Sequence, residues 1–154
     1  MARTQQMSDP LYRRELLRLA ADAHGAGRLA AFDASAEIFN PACGDKVTID
    51  LLLAGGRIVE VALETKACVL VQASASILGR TLKGAGRGDV EQLHARVAAM
   101  LASEGQPPSA PFDGYAAFVG AVEYRSRHAC VLLPIEAVLS ALMNSHPVRD
   151  ENSK

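Results

Sequence analysis

The chain is poor in aromatic residues and in net charge, and these two absences exclude several classes of function. It has no tryptophan, and aromatic residues make up 5% of the 154 residues, which leaves few rings to stack on nucleic-acid bases. Its formal net charge is −1, and its lysines and arginines are dispersed. Binding to nucleic acid or to an anionic membrane surface usually requires a basic bias. We therefore expect partners other than nucleic acids and membranes.

Cysteine is also scarce, and its spacing excludes the common short-range cysteine sites. Cys43, Cys68 and Cys130 lie far apart, so the chain has no Cys-x-x-Cys pair for a zinc knuckle or a thioredoxin-like redox site. Their odd number argues against a closed disulfide framework. We find no signal peptide and no apolar run of membrane-spanning length, and we therefore expect a location in the reducing cytoplasm.

Alternation of apolar and polar residues predicts a small antiparallel sheet of three strands. The pattern over residues 32–39 is irregular but compatible with a strand, whereas alternation is clearer over 46–53 and 58–64. In the last of these, Val59, Val61 and Leu63 recur with a period of two, and we expect them to lie on one face. Gly55 and Gly56 separate the last two strands and are typical of a tight turn with positive φ.

Helical periodicity before and after the sheet completes a prediction of an α+β fold, with helices packed on one face of the sheet. Asp9 and Pro10 are typical of the start of the first helix. Later helices are predicted at residues 68–78, closed by Gly79, from a cap at Asp89 to near Gly105, at 112–122, and along Leu132 to Leu142. The length predicts one domain over residues 1–154, with a flexible polar tail at 144–154.

Each cysteine is predicted to lie at the edge of a different element. Cys43 lies in the loop that enters the second strand, whereas Cys68 begins the small-residue helix and Cys130 begins the last helix. Helix N-termini favour thiolates at the last two positions. Together with Asp45 the cysteines offer four ligands, which suits tetrahedral zinc or an iron-sulfur cluster. Free cysteine is also often a small buried apolar residue, and spacing alone leaves both interpretations open.

Two motifs identify a family. The string Asn-Pro-Ala-Cys-Gly-Asp at 40–45 is followed by Cys-x-x-x-x-Ala-Ser-Ala-Ser at 68–76 and by the single Cys130 that opens the last helix. This combination resembles the U-type iron-sulfur cluster assembly proteins, namely IscU, the N-terminal domain of NifU, and SufU, and the resemblance covers residues 9–143. It implies a fold like that of SufE and NifU.

The resemblance also implies a function. It implies a non-catalytic scaffold that builds a [2Fe-2S] cluster from iron and desulfurase-derived sulfur and passes it to apo-proteins or carrier proteins. The implied thiolate ligands are Cys43, Cys68 and Cys130, and Asp45 is the implied labile ligand. A carboxylate oxygen binds iron less firmly than thiolate sulfur, so one weak ligand would allow the cluster to leave.

Departures from the IscU pattern leave a second interpretation open. Ala129 stands where such scaffolds usually have histidine. Residues 122–126 stand where such scaffolds have the string Leu-Pro-Pro-Val-Lys, which a chaperone recognises. The long interval between Cys68 and Cys130 resembles SufU, whose family members hold zinc through the same ligand set and accept a persulfide. Cys130 would then be the acceptor of a zinc-dependent sulfurtransferase. A third possibility is a vestigial site kept for partner binding.

Four further polar residues near these motifs have competing interpretations. His128 lies two residues before Cys130 and could reach the site, although we favour a role other than ligation. Lys46 could attract an anionic persulfide or could be a solvated lysine. Ser74 and Ser76 have no nucleophile elbow or paired base around them, so we expect them to serve close helix packing.

Overall fold

The computed structural model describes the backbone of residues 14–152 and side chains as far as Asn144, and it confirms the predicted α+β fold. The antiparallel sheet has the order β1 (Ala34–Asn40), β2 (Asp45–Ala54) and β3 (Arg57–Lys66). The helices are α1 (Arg14–Asp22), α2 (Val69–Thr81), α3 (Arg87–Leu101) and α4 (His128–Asn152). Two 3-10 helices, Asp113–Ala121 and Arg125–Arg127, separate α3 from α4. The predicted start of the first helix at Asp9 and Pro10 lies outside the described residues.

The core lies between one face of the sheet and the helices. Val47, Ile49 and Leu51 of β2 are fully buried, and α4 packs on β1 and β2 while α2 packs on β3. Full burial of one such side chain contributes about 1.5–3 kcal/mol. Helix α3 packs on α4 through the predicted apolar stripe, all of which is buried: Val90, Leu93, Val97, Met100 and Leu101.

The β2–β3 hairpin forms as predicted, but its register differs. Gly55 and Gly56 have φ values of +58° and +78°, which suit the tight turn. The pairing shifts between Leu52 and Leu53. An extra residue in one strand reverses the alternation beyond it, and Ile58 is therefore fully buried, whereas Val59 is 41% exposed. The prediction that Val59 lies on the same face as Val61 and Leu63 is wrong.

The sheet face opposite the helices is crossed by residues 24–33. Gly27 donates a backbone hydrogen bond to the Leu63 carbonyl at the β3 edge (3.0 Å). Six residues later the Asp33 N–H donates to the Leu51 carbonyl (2.8 Å) in β2. The segment thus runs from one edge of the sheet toward the other, so helices cover one face and a strap covers part of the other.

Asp50 fastens this strap to the middle of the sheet. Its fully buried carboxylate accepts hydrogen bonds from Arg28 Nε (2.7 Å) and Nη2 (3.1 Å), from the Leu29 N–H (3.0 Å) and from Ser35 Oγ (2.8 Å). Burial alone would raise the pKa of Asp50, but the hydrogen bonds from Arg28, Ser35 and Leu29 outweigh it and hold this pKa below its ordinary value.

Two predicted helix boundaries are wrong for identifiable reasons. Helix α2 continues past Gly79 to Thr81, and Gly79 packs directly against the His24 carbonyl, where a Cβ atom would collide. Helix α3 is capped by Gly86 instead of Asp89. Asp89 lies three residues inside the helix, where its carboxylate accepts the Gly86 N–H at 2.9 Å.

The C-terminal half differs from prediction mainly in length. The predicted helix at 112–122 is a 3-10 helix, and α4 extends to Asn152. Side chains beyond Asn144 lie outside the described part, so the flexible tail at 144–154 stays a prediction. Within the described residues, 125–144 is long and apolar enough to cross a membrane, contrary to the sequence expectation. Half of that stretch is buried inside the fold, as in the core helix of a globular domain.

Candidate metal centre

Antiparallel pairing brings three chain segments to one end of the sheet. Asn40 pairs with Asp45 at the β1–β2 turn, and Lys46 pairs with Lys66 at the end of β3. Cys68, which caps α2, follows β3 directly at this end. The first turn of α4 approaches the same place, and the three cysteines are therefore close in space although they are far apart in sequence.

The β1–β2 turn has a sequence that fits its geometry. Asparagine followed by proline is favoured at the first two turn positions, and the Asn40 carbonyl accepts backbone hydrogen bonds from Cys43 (3.3 Å) and Gly44 (2.8 Å). Gly44 has a φ of +75°, which glycine adopts without strain. The turn presents the half-buried Cys43 side chain and leads directly into Asp45 at the start of β2.

Asp45 and Cys68 are in direct contact. The Asp45 side chain is buried, and its Oδ1 accepts the Cys68 backbone N–H at 3.1 Å. Its Oδ2 lies 3.5 Å from Cys68 Sγ. The carboxylate therefore faces both the sulfur and the exposed amide group at the N-terminus of α2.

Cys130 completes the cluster from the other side. Its Sγ atom lies 3.3 Å from Cys43 Sγ, and the residue is fully buried. The ligand atoms of Cys43, Asp45 and Cys130 all lie within 4.8 Å of one another. Cys68 Sγ contacts Asp45 but lies outside this group of three ligand atoms. The four residues predicted from the sequence therefore lie at the same end of the sheet, with three of them in the tighter cluster.

The electrostatic state of the two helix-borne thiols differs from the sequence expectation. Burial and the adjacent Asp45 carboxylate raise the pKa of Cys68, outweighing the backbone N–H groups of Val71 and Leu70, which favour the thiolate. Burial, the contact with Cys43 and nearby negative charge raise the pKa of Cys130. Helix N-termini alone therefore do not produce thiolates here. A cation among these groups would favour deprotonation, and proton release would accompany its binding.

A buried polar network that the sequence prediction missed joins α2 to the backbone of α4 next to Cys130. Ser74 Oγ in α2 donates to the Val131 carbonyl at 2.8 Å and lies 2.8 Å from Tyr115 Oη. Tyr115 Oη also lies 3.2 Å from the Ser74 carbonyl, so its single proton is donated to Ser74 through Oγ or through this carbonyl. Tyr115 is fully buried. Pro134 has no N–H, so α4 lacks the usual helical hydrogen bond to the Cys130 carbonyl. In the sequence, the single tyrosine inside the apolar run 112–122 was the feature that could have indicated this network.

The other candidates from the sequence have structural partners. His128 Nε2 lies 3.1 Å from the Ala121 carbonyl and 3.0 Å from the Val122 carbonyl, and it must donate to them, so this nitrogen is not a ligand. Lys46 Nζ lies 3.6 Å from a Glu37 carboxylate oxygen. Ser76 Oγ accepts the His24 backbone N–H at 3.2 Å, which agrees with the packing role expected for it and for Ser74.

The donor set has the chemistry of a thiolate-rich metal site. Three sulfur atoms and one carboxylate oxygen are the ligand types of tetrahedral zinc, and cysteine sulfur is also the usual ligand of iron-sulfur clusters. Placement at a sheet end, with Cys43 and Cys68 half-buried, leaves an approach from solvent. The residues present therefore fit either group.

Comparison with known proteins identifies the family of this chain. The family profile "NifU-like N terminal domain" matches residues 11–131. A NifU-like protein (N-terminal) from Brucella abortus has 32% identity, covers 89% of this chain and 95% of its own, and has a TM-score of 0.84. An iron-sulfur cluster assembly scaffold protein for the SUF system from Fervidobacterium islandicum AW-1 is 23% identical in sequence, and the match covers 88% of this chain and 98% of that one. Its TM-score of 0.79 shows a similar fold. No protein with curated function matches. The chain thus belongs to the NifU-like N-terminal domain family, the U-type family that its two motifs resemble.

Proposed function

We propose that this protein is an iron-sulfur cluster assembly scaffold that receives iron and desulfurase-derived sulfur and passes a [2Fe-2S] cluster to apo-proteins or carrier proteins. One observation supports this proposal above all. Cys43, Asp45, Cys68 and Cys130 come from a turn, a strand start and two helix starts, yet they meet at one solvent-accessible end of the sheet. Such convergence gives a ligand set without a local Cys-x-x-Cys pair.

Asp45 is the residue that would make binding reversible. As an oxygen ligand it binds iron less firmly than the three thiolates. The Asp45 carboxylate also has a hydrogen-bond donor besides the metal, because its Oδ1 accepts the Cys68 N–H at 3.1 Å. A carboxylate that leaves iron therefore does not become an unpaired buried charge, which lowers the cost of opening the site.

Exposure of the thiols suggests the order in which incoming groups meet them. Cys43 and Cys68 are half-buried, whereas Cys130 is fully buried behind Cys43. A desulfurase persulfide would therefore reach Cys43 or Cys68 first. Transfer to Cys130 requires movement of the β1–β2 turn or of the first turn of α4.

A zinc-dependent sulfur-transfer role is the second candidate. In that role a Cys130 thiolate attacks the outer sulfur of the desulfurase persulfide, and the sulfur–sulfur bond breaks. The donor cysteine leaves as a thiolate and Cys130 carries the persulfide, with no net oxidation. Two features favour this candidate. Residues 122–126 lack the Leu-Pro-Pro-Val-Lys string. Two 3-10 helices lie between α3 and Cys130, within the long interval that resembles SufU.

Reconstitution distinguishes the two candidates. The scaffold role predicts that iron, cysteine and a cysteine desulfurase give a coloured protein that transfers its cluster to apo-ferredoxin. Cys43→Ser, Cys68→Ser and Cys130→Ser should each reduce cluster loading. Wild-type loading in all three variants would contradict the scaffold role.

The sulfur-transfer role has its own measurement. It predicts one zinc per chain and stimulation of desulfurase turnover that is lost in Cys130→Ser. A parallel Cys43→Ser sample tests whether the more exposed thiol accepts the sulfur instead. Stimulation retained by Cys130→Ser would exclude Cys130 as the acceptor. Both roles need reduced thiols and a desulfurase, and we propose a cytoplasmic location for either.

A further inference from the structure

The side chain of Asn40 connects the β1–β2 turn to a sulfur atom of the candidate site. Its Oδ1 accepts the Ala42 backbone N–H at 3.1 Å, while its Nδ2 lies 3.4 Å from Cys43 Sγ. Its backbone carbonyl also accepts the N–H groups of Cys43 and Gly44. One residue thus fixes both the backbone that carries Cys43 and the position of the Cys43 sulfur.

The hydrogen-bond pattern determines which way the Asn40 amide points. An N–H group of Ala42 can be met only by an acceptor, so Oδ1 must face it. The NH2 group of Asn40 then faces Cys43 Sγ, and the sulfur is the acceptor of this contact. This orientation does not depend on the protonation of Cys43, because sulfur can accept in either form.

We propose that Asn40 is a positioning residue for Cys43, orienting its sulfur toward the bound metal and drawing electron density from it through an N–H···S hydrogen bond. The inference rests on the proposed function, in which Cys43 is a ligand. Hydrogen bonds to ligating groups set their orientation, and hydrogen bonds to the sulfurs tune a thiolate-bound metal.

Turn formation alone would be the simpler role for Asn40, and a serine variant separates the two roles. In Asn40→Ser the hydroxyl can still accept the Ala42 N–H as a weaker turn contact, but the shorter side chain no longer presents an amide to sulfur. Asn144→Ser is the matched control, because Asn144 donates only to the Ser35 carbonyl (3.3 Å) among the described contacts. Ser35 lies five residues along β1 from Asn40, about 17 Å in an extended strand.

Cobalt(II) binding to the full chain supplies the test, since sulfur-to-cobalt charge-transfer bands report electron donation by the thiolates. The proposal predicts at least about tenfold weaker cobalt affinity for Asn40→Ser. It also predicts a shift of the charge-transfer band to longer wavelength, because the sulfur lone pair is no longer stabilised. Asn144→Ser should match the wild type in both. Circular dichroism of the metal-free variants verifies their fold.

Three outcomes are informative. A shifted band in Asn40→Ser with an unchanged control supports the positioning role, which loss of the turn alone would not produce. An unshifted band in Asn40→Ser overturns the inference while leaving the proposed function intact. Absence of cobalt binding with thiolate charge transfer in the wild type overturns the proposed function, and the inference fails with it.

Discussion

At the scale of single residues, Asp50 illustrates how this small sheet accommodates a buried charge. The residue occupies the central strand, and its hydrogen-bond donors come from the strap and from β1. Four donor contacts replace the water that burial removes, so the carboxylate remains ionised in the folded protein. The same charge would be costly if its partners were lost.

Asp50→Asn should lower the free energy of unfolding at neutral pH by about 2–3 kcal/mol, because charge-assisted hydrogen bonds are lost. The folded-state pKa of Asp50 is depressed. Its stabilisation is therefore present above the unfolded value of about 3.9 and is lost as pH falls through the lower folded value. Urea unfolding should therefore show a smaller difference in the free energy of unfolding between wild type and Asp50→Asn below pH 4 than at pH 7.

Glu37→Gln is the control for Asp50→Asn, since Glu37 pairs with Lys46 at an exposed position. Exposed pairs contribute about 0–1 kcal/mol, so little change is expected. An Asp50→Asn variant as stable as Glu37→Gln at pH 7 would contradict the role assigned to the strap.

The Cys43 and Cys130 sulfurs should form a disulfide when the metal-free protein is oxidised. Their separation of 3.3 Å leaves little movement before bonding. Hydrogen peroxide would oxidise the half-buried Cys43 to a sulfenic acid, which Cys130 then attacks with loss of water. Peptide mapping should find this linkage in Cys68→Ser as well as in the wild type, with slower formation after zinc addition. Oxidation that links Cys68 to either partner instead would contradict the observed packing.

At the scale of elements, Gly79 shows how a tertiary contact overrides a local signal. Glycine near the end of a helical pattern usually indicates a stop, but here it allows α2 to approach the His24 carbonyl. Strand pairing likewise places Ile58 in the core, through the register shift next to Leu52. Alternation of apolar and polar residues in the sequence does not reveal such a shift. Strand existence, in contrast, followed directly from local pattern.

Gly79→Ala should destabilise the fold by about 2–4 kcal/mol, because the new Cβ meets backbone that cannot rotate away. Gly88→Ala is a matched control inside α3, where the added methyl group meets open space. Its higher helix propensity should leave stability unchanged or raise it by up to about 1 kcal/mol. Thermal unfolding of both variants tests the prediction, and equal midpoints would contradict it.

At the scale of the whole molecule, the identity of the candidate ligands was predictable but their arrangement was not. The motif residues at 40–45 and Cys68 pointed to the site through the ligand types that they offer and through their resemblance to the U-type family. The burial of Cys130 and its contact with Cys43 depend on how α4 docks against the sheet, and the network through Tyr115 depends on three elements at once. Such long-range packing leaves no periodic signature in one sequence.

The most direct test of the central proposal is the iron, zinc and acid-labile sulfide content of protein purified without oxygen, measured for the wild type and for Asp45→Ala. The scaffold role predicts iron and sulfide in near-equal amounts. It also predicts a cluster held more tightly in Asp45→Ala, because the labile ligand that opens the site is gone. Stoichiometric zinc without sulfide in both proteins would contradict the scaffold role and favour sulfur transfer, whereas absence of any metal would indicate a vestigial site.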